Sequence, residues 1–124
     1  MKKAALEKPE LCNAFHAAIE LIGRRWTGAI IFLLLRSRCR FATLRDAIPD
    51  ITDRMLSERL QELEQEGIVE RTVLPEPPVR VEYSLTPKGR ALATAVDAIG
   101  EWAHKWGAPV AEDAAHPAPR KKRA

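Results

Sequence analysis

Apolar positions along this chain follow a helical period over most of its length and switch to alternation once, near residue 80. Leu11, Phe15, Ala18, Ile19 and Ile22 recur at helical spacing and predict an amphipathic helix over residues 10–22, stopped by Gly23. The unbroken run from Ala29 to Leu35 predicts a second helix, about 25–35, buried on nearly all sides and too short to cross a bilayer. A third, about 41–48, ends at Pro49, which has no amide hydrogen to continue the ladder. Thr52 is a suitable N-cap for the fourth, which carries Leu56, Leu60 and Leu63 inward until Gly67 stops it near Glu66. Val79, Val81, Tyr83 and Leu85 then alternate with Arg80, Glu82 and Ser84, so one side of this strand packs and the other meets solvent or a partner. The Pro75-Glu76-Pro77-Pro78 segment is the tip of the hairpin that the strand closes.

Thr86-Pro87 supplies a cap and a first-turn proline for a last helix reaching Trp106. Leu92, Val96, Ile99, Ala103 and Trp106 form an a/d seam along it. Something must cover that seam, and the first helix and a second copy of the chain are the candidates. The expectation is a homodimer through the terminal helices, centred on Phe15, Ile19, Ile99, Trp102 and Trp106. The alternative is a stripe packed wholly within one monomer.

Helix, tight turn, helix and hairpin in that order predict a mainly α fold with a small β-hairpin wing: a winged helix-turn-helix domain over residues 10–107, with N- and C-terminal dimerisation helices. Residues 108–124, rich in Ala, Pro and charge, read as a disordered basic tail. Its end adds nonspecific phosphate affinity or is simply solvated.

Charge sharpens this picture only locally. Arg120, Lys121, Lys122 and Arg123 supply more than the whole net charge of +3, so the total says little about partners. Between Arg24 and Arg59, however, eight arginines face four acids, whereas Leu60 to Glu70 holds four glutamates and no base. A basic patch over the helix-turn-helix with acid behind it suits a module that meets phosphates with one face; a solvated charged surface is the plainer reading.

On the fourth helix, Arg54, Ser57, Glu58 and Gln61 share a face without apolar residues. The expected contact is with double-stranded DNA, the 53–66 helix entering the major groove and the wing at 74–80 lying beside it. Arg54 and Gln61 are candidate base or phosphate readers, with Ser57 a short polar contact between them. Thr52 and the first-turn amides suit a phosphate. Arg80 is the wing's candidate for a backbone or minor-groove contact, and Arg40 and Arg45 for clamping the backbone beside the third helix. Arg59, on the inner flank, is as well placed to pair with Glu62 or Glu66. A winged helix that binds protein rather than DNA is the rival reading.

Enzymatic, metal and cofactor signals are missing from the sequence. His16, His104 and His116 lie far apart, and there is no CxxC, glycine-rich phosphate loop or nucleophile elbow. MKKAALEKPEL lacks the apolar core of a secretory signal, no segment reads as a membrane span, and two cysteines make no disulfide framework, so the expected compartment is the cytoplasm. Cys12 stands ahead of a helix, where amide dipoles favour thiol reactivity; a small buried apolar residue is the alternative role. Cys39, set among Arg36, Arg38 and Arg40, is a weaker candidate for activation by charge. A small-molecule pocket near Trp26 and the terminal helices is a further option.

Cys12, Ile22-Gly23-Arg24-Arg25-Trp26, Arg40-Phe41, Ile48-Pro49, the string from Ile51 to Leu60, Leu63, Gly67, Arg71, the string from Pro78 to Thr86, Gly89 and Trp102 together resemble the HxlR-type transcriptional regulators, a bacterial family among the MarR-like winged helices. The match runs in order from about residue 12 to 106. It departs at Asn13, where the family often has Pro, and at Arg24-Arg25 in place of Gly-Lys; the tail has no counterpart. The resemblance implies a dimer on a roughly palindromic operator, acting as repressor or activator. Some such regulators use an N-terminal cysteine to sense oxidants or electrophiles, which implies the same role for Cys12.

Overall fold

The structure is a computed structural model and describes residues 9–107. The expected tail at 108–124 lies outside the described residues. Among the described residues, six helices and three short strands follow in the order α1 (Asn13–Ile22), α2 (Thr27–Arg36), β1 (Cys39–Arg40), α3 (Phe41–Ala47), α4 (Asp53–Gln65), β2 (Val69–Leu74), β3 (Arg80–Leu85), α5 (Pro87–Arg90) and α6 (Ala93–Trp106).

The core sits where α2, α3 and α4 meet the sheet. Ile30, Ile31, Leu34, Leu44, Leu56, Leu60 and Leu63 are buried there with Ile48, Ile51, Ile68, Val69 and Leu85. The inward stripe of α4 is therefore the one its spacing predicts. The α2 run is less enclosed than expected: Ala29 and Phe32 are exposed, while Leu33 and Leu35 are half-buried. The helix is apolar all round but covered on only one side within the chain. It also begins two residues later than predicted, because Trp26 takes a left-handed backbone (φ 77°) that separates it from the α1–α2 turn.

The ends of α4 explain its orientation. Thr52 Oγ1 accepts from the Met55 amide at 3.1 Å, as its N-cap position predicts. At the other end Gly67 adopts φ 77°, while the Ile68 amide donates to the Leu63 carbonyl and the Gly67 amide to the Glu64 carbonyl. This paired arrangement turns the chain from α4 directly into β2, and a side chain at Gly67 would strain it.

The sheet is antiparallel in the order β1-β3-β2, with Val69 opposite Leu85 and Leu74 opposite Arg80 across the hairpin. The third strand corrects the two-stranded expectation. Cys39 pairs with Tyr83 and Arg40 with Glu82, which makes β3 the central strand. A two-residue strand carries no alternating pattern, so the sequence read it as a connector. Val79 precedes the strand and is exposed instead of packed.

The last helix is two helices. Thr86 Oγ1 caps the first by accepting from Gly89, and donates to the Gly67 carbonyl at 2.6 Å, tying α5 to the α4–β2 corner. Gly89 is buried there: a Cβ would stand 2.3 Å from the Ile68 carbonyl oxygen. At Leu92 the amide reaches back three residues to Gly89, and this tight turn ends α5 before α6 begins. The seam is divided accordingly. Leu92 and Val96 pack against the core, while Ile99 and Trp106 are exposed.

Candidate nucleic-acid interface

Three elements carry the candidate site: the outward face of α4, the α3–α4 junction and the sheet. On α4, Arg54, Ser57 and Gln61 are all exposed, with no large apolar side chain between them. Arg54 does not extend freely. Its Nε donates to Glu58 Oε2 at 3.2 Å, one helical turn on, so guanidinium and carboxylate form a pair on the solvent face.

Arg45 bridges the two helices of the motif, contacting Asp53 Oδ1 at 3.4 Å through Nη1 and Asp46 Oδ1 at 3.5 Å through Nε. The hydrogen bond and charge of Asp53 raise its already high pKa, so it is a permanent cation fixed beside the N-terminus of α4. Thr52 is exposed at that same N-terminus, its oxygen engaged by the Met55 amide.

Side-chain alternation places Arg40, Glu82 and Thr72 on one face of the sheet, with Arg80 two residues from Glu82 on that face. Arg38 Nη1 lies 3.5 Å from Glu82 Oε1. Arg40 is exposed, as expected. Arg80 is not the open wing residue that alternation predicts: it is half-buried, and its buried Nε has no hydrogen-bond partner among the described residues.

Behind α4 lies a network that sequence alone did not assemble. Arg59 is buried and donates from Nε to the Arg25 carbonyl at 3.0 Å and from Nη1 to Glu62 Oε2 at 3.0 Å. Arg24 Nη2 approaches the same Glu62 oxygen at 3.1 Å. The Glu62 partner follows from the i,i+3 spacing, but Arg24 and Arg25 are far away in sequence and no local pattern points to them. The α1–α2 turn is thereby fastened to the base of α4.

A family model described as HxlR-like helix-turn-helix matches residues 21–111. The chain belongs to this family. This HxlR-like chain is 46% identical over 101 residues to the uncharacterized HTH-type transcriptional regulator YvaP of Bacillus subtilis (strain 168), spanning 82% of this chain and 94% of YvaP. Among solved structures, the reduced form of the B. subtilis regulator YodB is similar with a TM-score of 0.72 and 44% identity, covering 82% of this chain and 99% of that one. The redox regulator HypR in its reduced form gives 0.71 and 38%, covering 74% and 91%. HypR has also been solved oxidised, and YodB quinone-bound. The helix-turn-helix and wing of this chain are those of a transcriptional regulator.

In this HxlR-like chain Cys12 is the exposed N-cap of α1, its Sγ accepting from the Phe15 amide at 3.4 Å. Cys39 contrasts with it. Burial pushes the Cys39 thiol up from its ordinary value, the reverse of activation by the neighbouring arginines, because the side chain turns into the sheet–core boundary. Phe15 and Ile19 on α1 and Ile99, Trp102 and Trp106 on α6 are all exposed large apolar residues. An open groove of about 750 Å³ between α2 and α6 is lined by Phe32, Val96, Asp97, Gly100, Glu101, His104 and Lys105; Trp26 does not reach it. No helix among the described residues is long and apolar enough to cross a membrane.

Proposed function

We propose that the chain is a homodimeric, sequence-specific DNA-binding regulator that seats α4 in the major groove of a roughly palindromic operator. The carrying observation is the face of α4 formed by Arg54, Ser57 and Gln61: polar, exposed and rigidly set by a capped helix over a buried leucine stripe. Arg45 and the first-turn amides meet the backbone at the N-terminus of α4, and Arg40 and Arg80 meet it from the sheet. The exposed residues of α1 and α6 join two copies, which sets the distance between the two recognition helices.

The same reading makes Cys12 the sensor. What supports this is an exposed thiol at the head of α1, in a chain similar to regulators known in reduced, oxidised and quinone-bound forms; its oxidation or electrophile addition alters the spacing of the recognition helices. The cytoplasm is the compartment where such a regulator meets DNA.

Enrichment of bound duplexes from a random library, in reducing buffer at physiological salt, tests this function. Two inverted half-sites about one helical turn or a multiple of it apart are expected. A folded dimer that enriches no motif favours the protein-interaction reading and overturns this one.

A further inference from the structure

The Arg54–Glu58 pair poses a question that phosphate binding does not answer. A carboxylate on the groove-facing side of a recognition helix is repelled by every phosphate it approaches, and nonspecific duplex gives it nothing in return. Glu58 nonetheless occupies the same exposed face as Arg54, Ser57 and Gln61, its side chain 46% exposed, and is not folded back toward the acidic residues behind α4. Only Oε2 is used, accepting from Arg54 Nε; no intrachain bond is made by Oε1 among the described residues. Among the described residues, neither terminal nitrogen of Arg54 has a hydrogen-bond partner.

We propose that Glu58 is a specificity-determining residue, accepting the exocyclic amine of a cytosine one base pair from a guanine read by Arg54. The inference rests on the DNA-binding function proposed above. The terminal nitrogens of Arg54 match guanine O6 and N7, and a glutamate oxygen matches cytosine N4. The Nε–Oε2 contact of 3.2 Å holds the two head groups side by side on one face of α4, so they meet adjacent base pairs together. The pair arrives pre-assembled, so the guanidinium and the carboxylate are presented together instead of being ordered separately on the duplex. Sequences lacking the amine leave Oε1 without a donor in the groove, and the penalty is itself the discrimination.

Duplex enrichment with wild-type protein, Glu58→Ala, Glu58→Gln and Arg54→Ala tests the assignment. Wild type is expected to select a guanine and an adjacent cytosine in each half-site. Glu58→Ala loses the cytosine preference by about tenfold or more while keeping the guanine, and Glu58→Gln moves that one position toward adenine. Both variants are expected to melt within about 2 °C of wild type, because the substituted side chain is exposed. An enriched motif indifferent to Glu58→Ala overturns this inference alone. So does a Glu58→Ala motif relaxed only at the guanine, which would make Glu58 merely a support for Arg54. A wild-type chain that enriches nothing overturns the DNA-binding function and the inference together.

Discussion

The guanidinium of Arg59 on α4 donates to the main-chain carbonyl of Arg25, 3.0 Å away and just ahead of α2. Its other arm holds Glu62, so one side chain fastens the recognition helix to the turn that follows the N-terminal helix. Arg59→Ala leaves that carbonyl without its donor and Glu62 with Arg24 alone, and is expected to cost about 1–2 kcal/mol of stability. Arg59→Lys recovers only part, because one ammonium does not reproduce a planar fork that spans two acceptors. Urea denaturation of the three proteins measures this. Equal midpoints would mean the network is solvated and carries no structural weight.

Arg54 and Arg80 are expected to fail differently. Arg54→Ala removes a base reader: affinity for the selected operator falls about tenfold to a hundredfold, and discrimination relaxes at one position. Arg80→Ala removes a backbone contact, weakening all duplexes alike and reducing the dependence of log affinity on log salt by about one unit. Anisotropy titrations against operator and scrambled duplex at several salt concentrations separate the two. Matching profiles for both variants would remove the division of labour between helix and wing.

Helix α4 was legible in the sequence because each of its signals is local: Thr52 as cap, Leu56, Leu60 and Leu63 as stripe, Gly67 as stop. The outward face followed from the inward one. The parts that were not legible depend on contacts distant in sequence. Two residues at Cys39–Arg40 become a strand only because β3 offers them an edge at Glu82 and Tyr83. The break between α5 and α6 arises from the same kind of cause: Thr86 anchors to Gly67 and Gly89 fits against Ile68, both from another element. Periodicity misses such a break because the apolar seam begins only at Leu92, the N-cap of α6, and no seam residue lies in α5. Likewise, the apolar run of α2 reports what the helix can bury and not what this chain provides to cover it, hence the exposed Phe32.

The exposed side chains of α1 and α6 make the dimer testable by single charges. Ile99→Glu or Trp102→Glu places a carboxylate in the proposed contact without touching the buried core, since both residues are exposed in the single chain. Each is expected to give a folded monomer with unchanged helix content and operator affinity reduced by at least tenfold, because the second half-site no longer binds as part of one molecule. Sedimentation velocity reads the assembly and circular dichroism the fold. A dimer that survives both substitutions would return the seam to the interior of one subunit or place the interface elsewhere.

The two cysteines offer an internal control for sensing. Cys12 is exposed at the head of α1, whereas burial raises the Cys39 pKa and leaves less thiolate at any given pH. Iodoacetamide at pH 7.5 is therefore expected to modify Cys12 first, with Cys39 labelling accelerating only as the pH climbs toward its raised value; peptide mass spectrometry follows both. Mild diamide treatment or a quinone should then change operator affinity in the wild type and in Cys39→Ser, but not in Cys12→Ser. The double comparison matters because a loss of binding on oxidation does not by itself identify the thiol. If Cys12→Ser responds like the wild type, the N-cap thiol is only a helix cap. A response confined to proteins that retain Cys12 ties chemistry at the start of α1 to DNA binding at α4, and the dimer contact is the route by which it would travel.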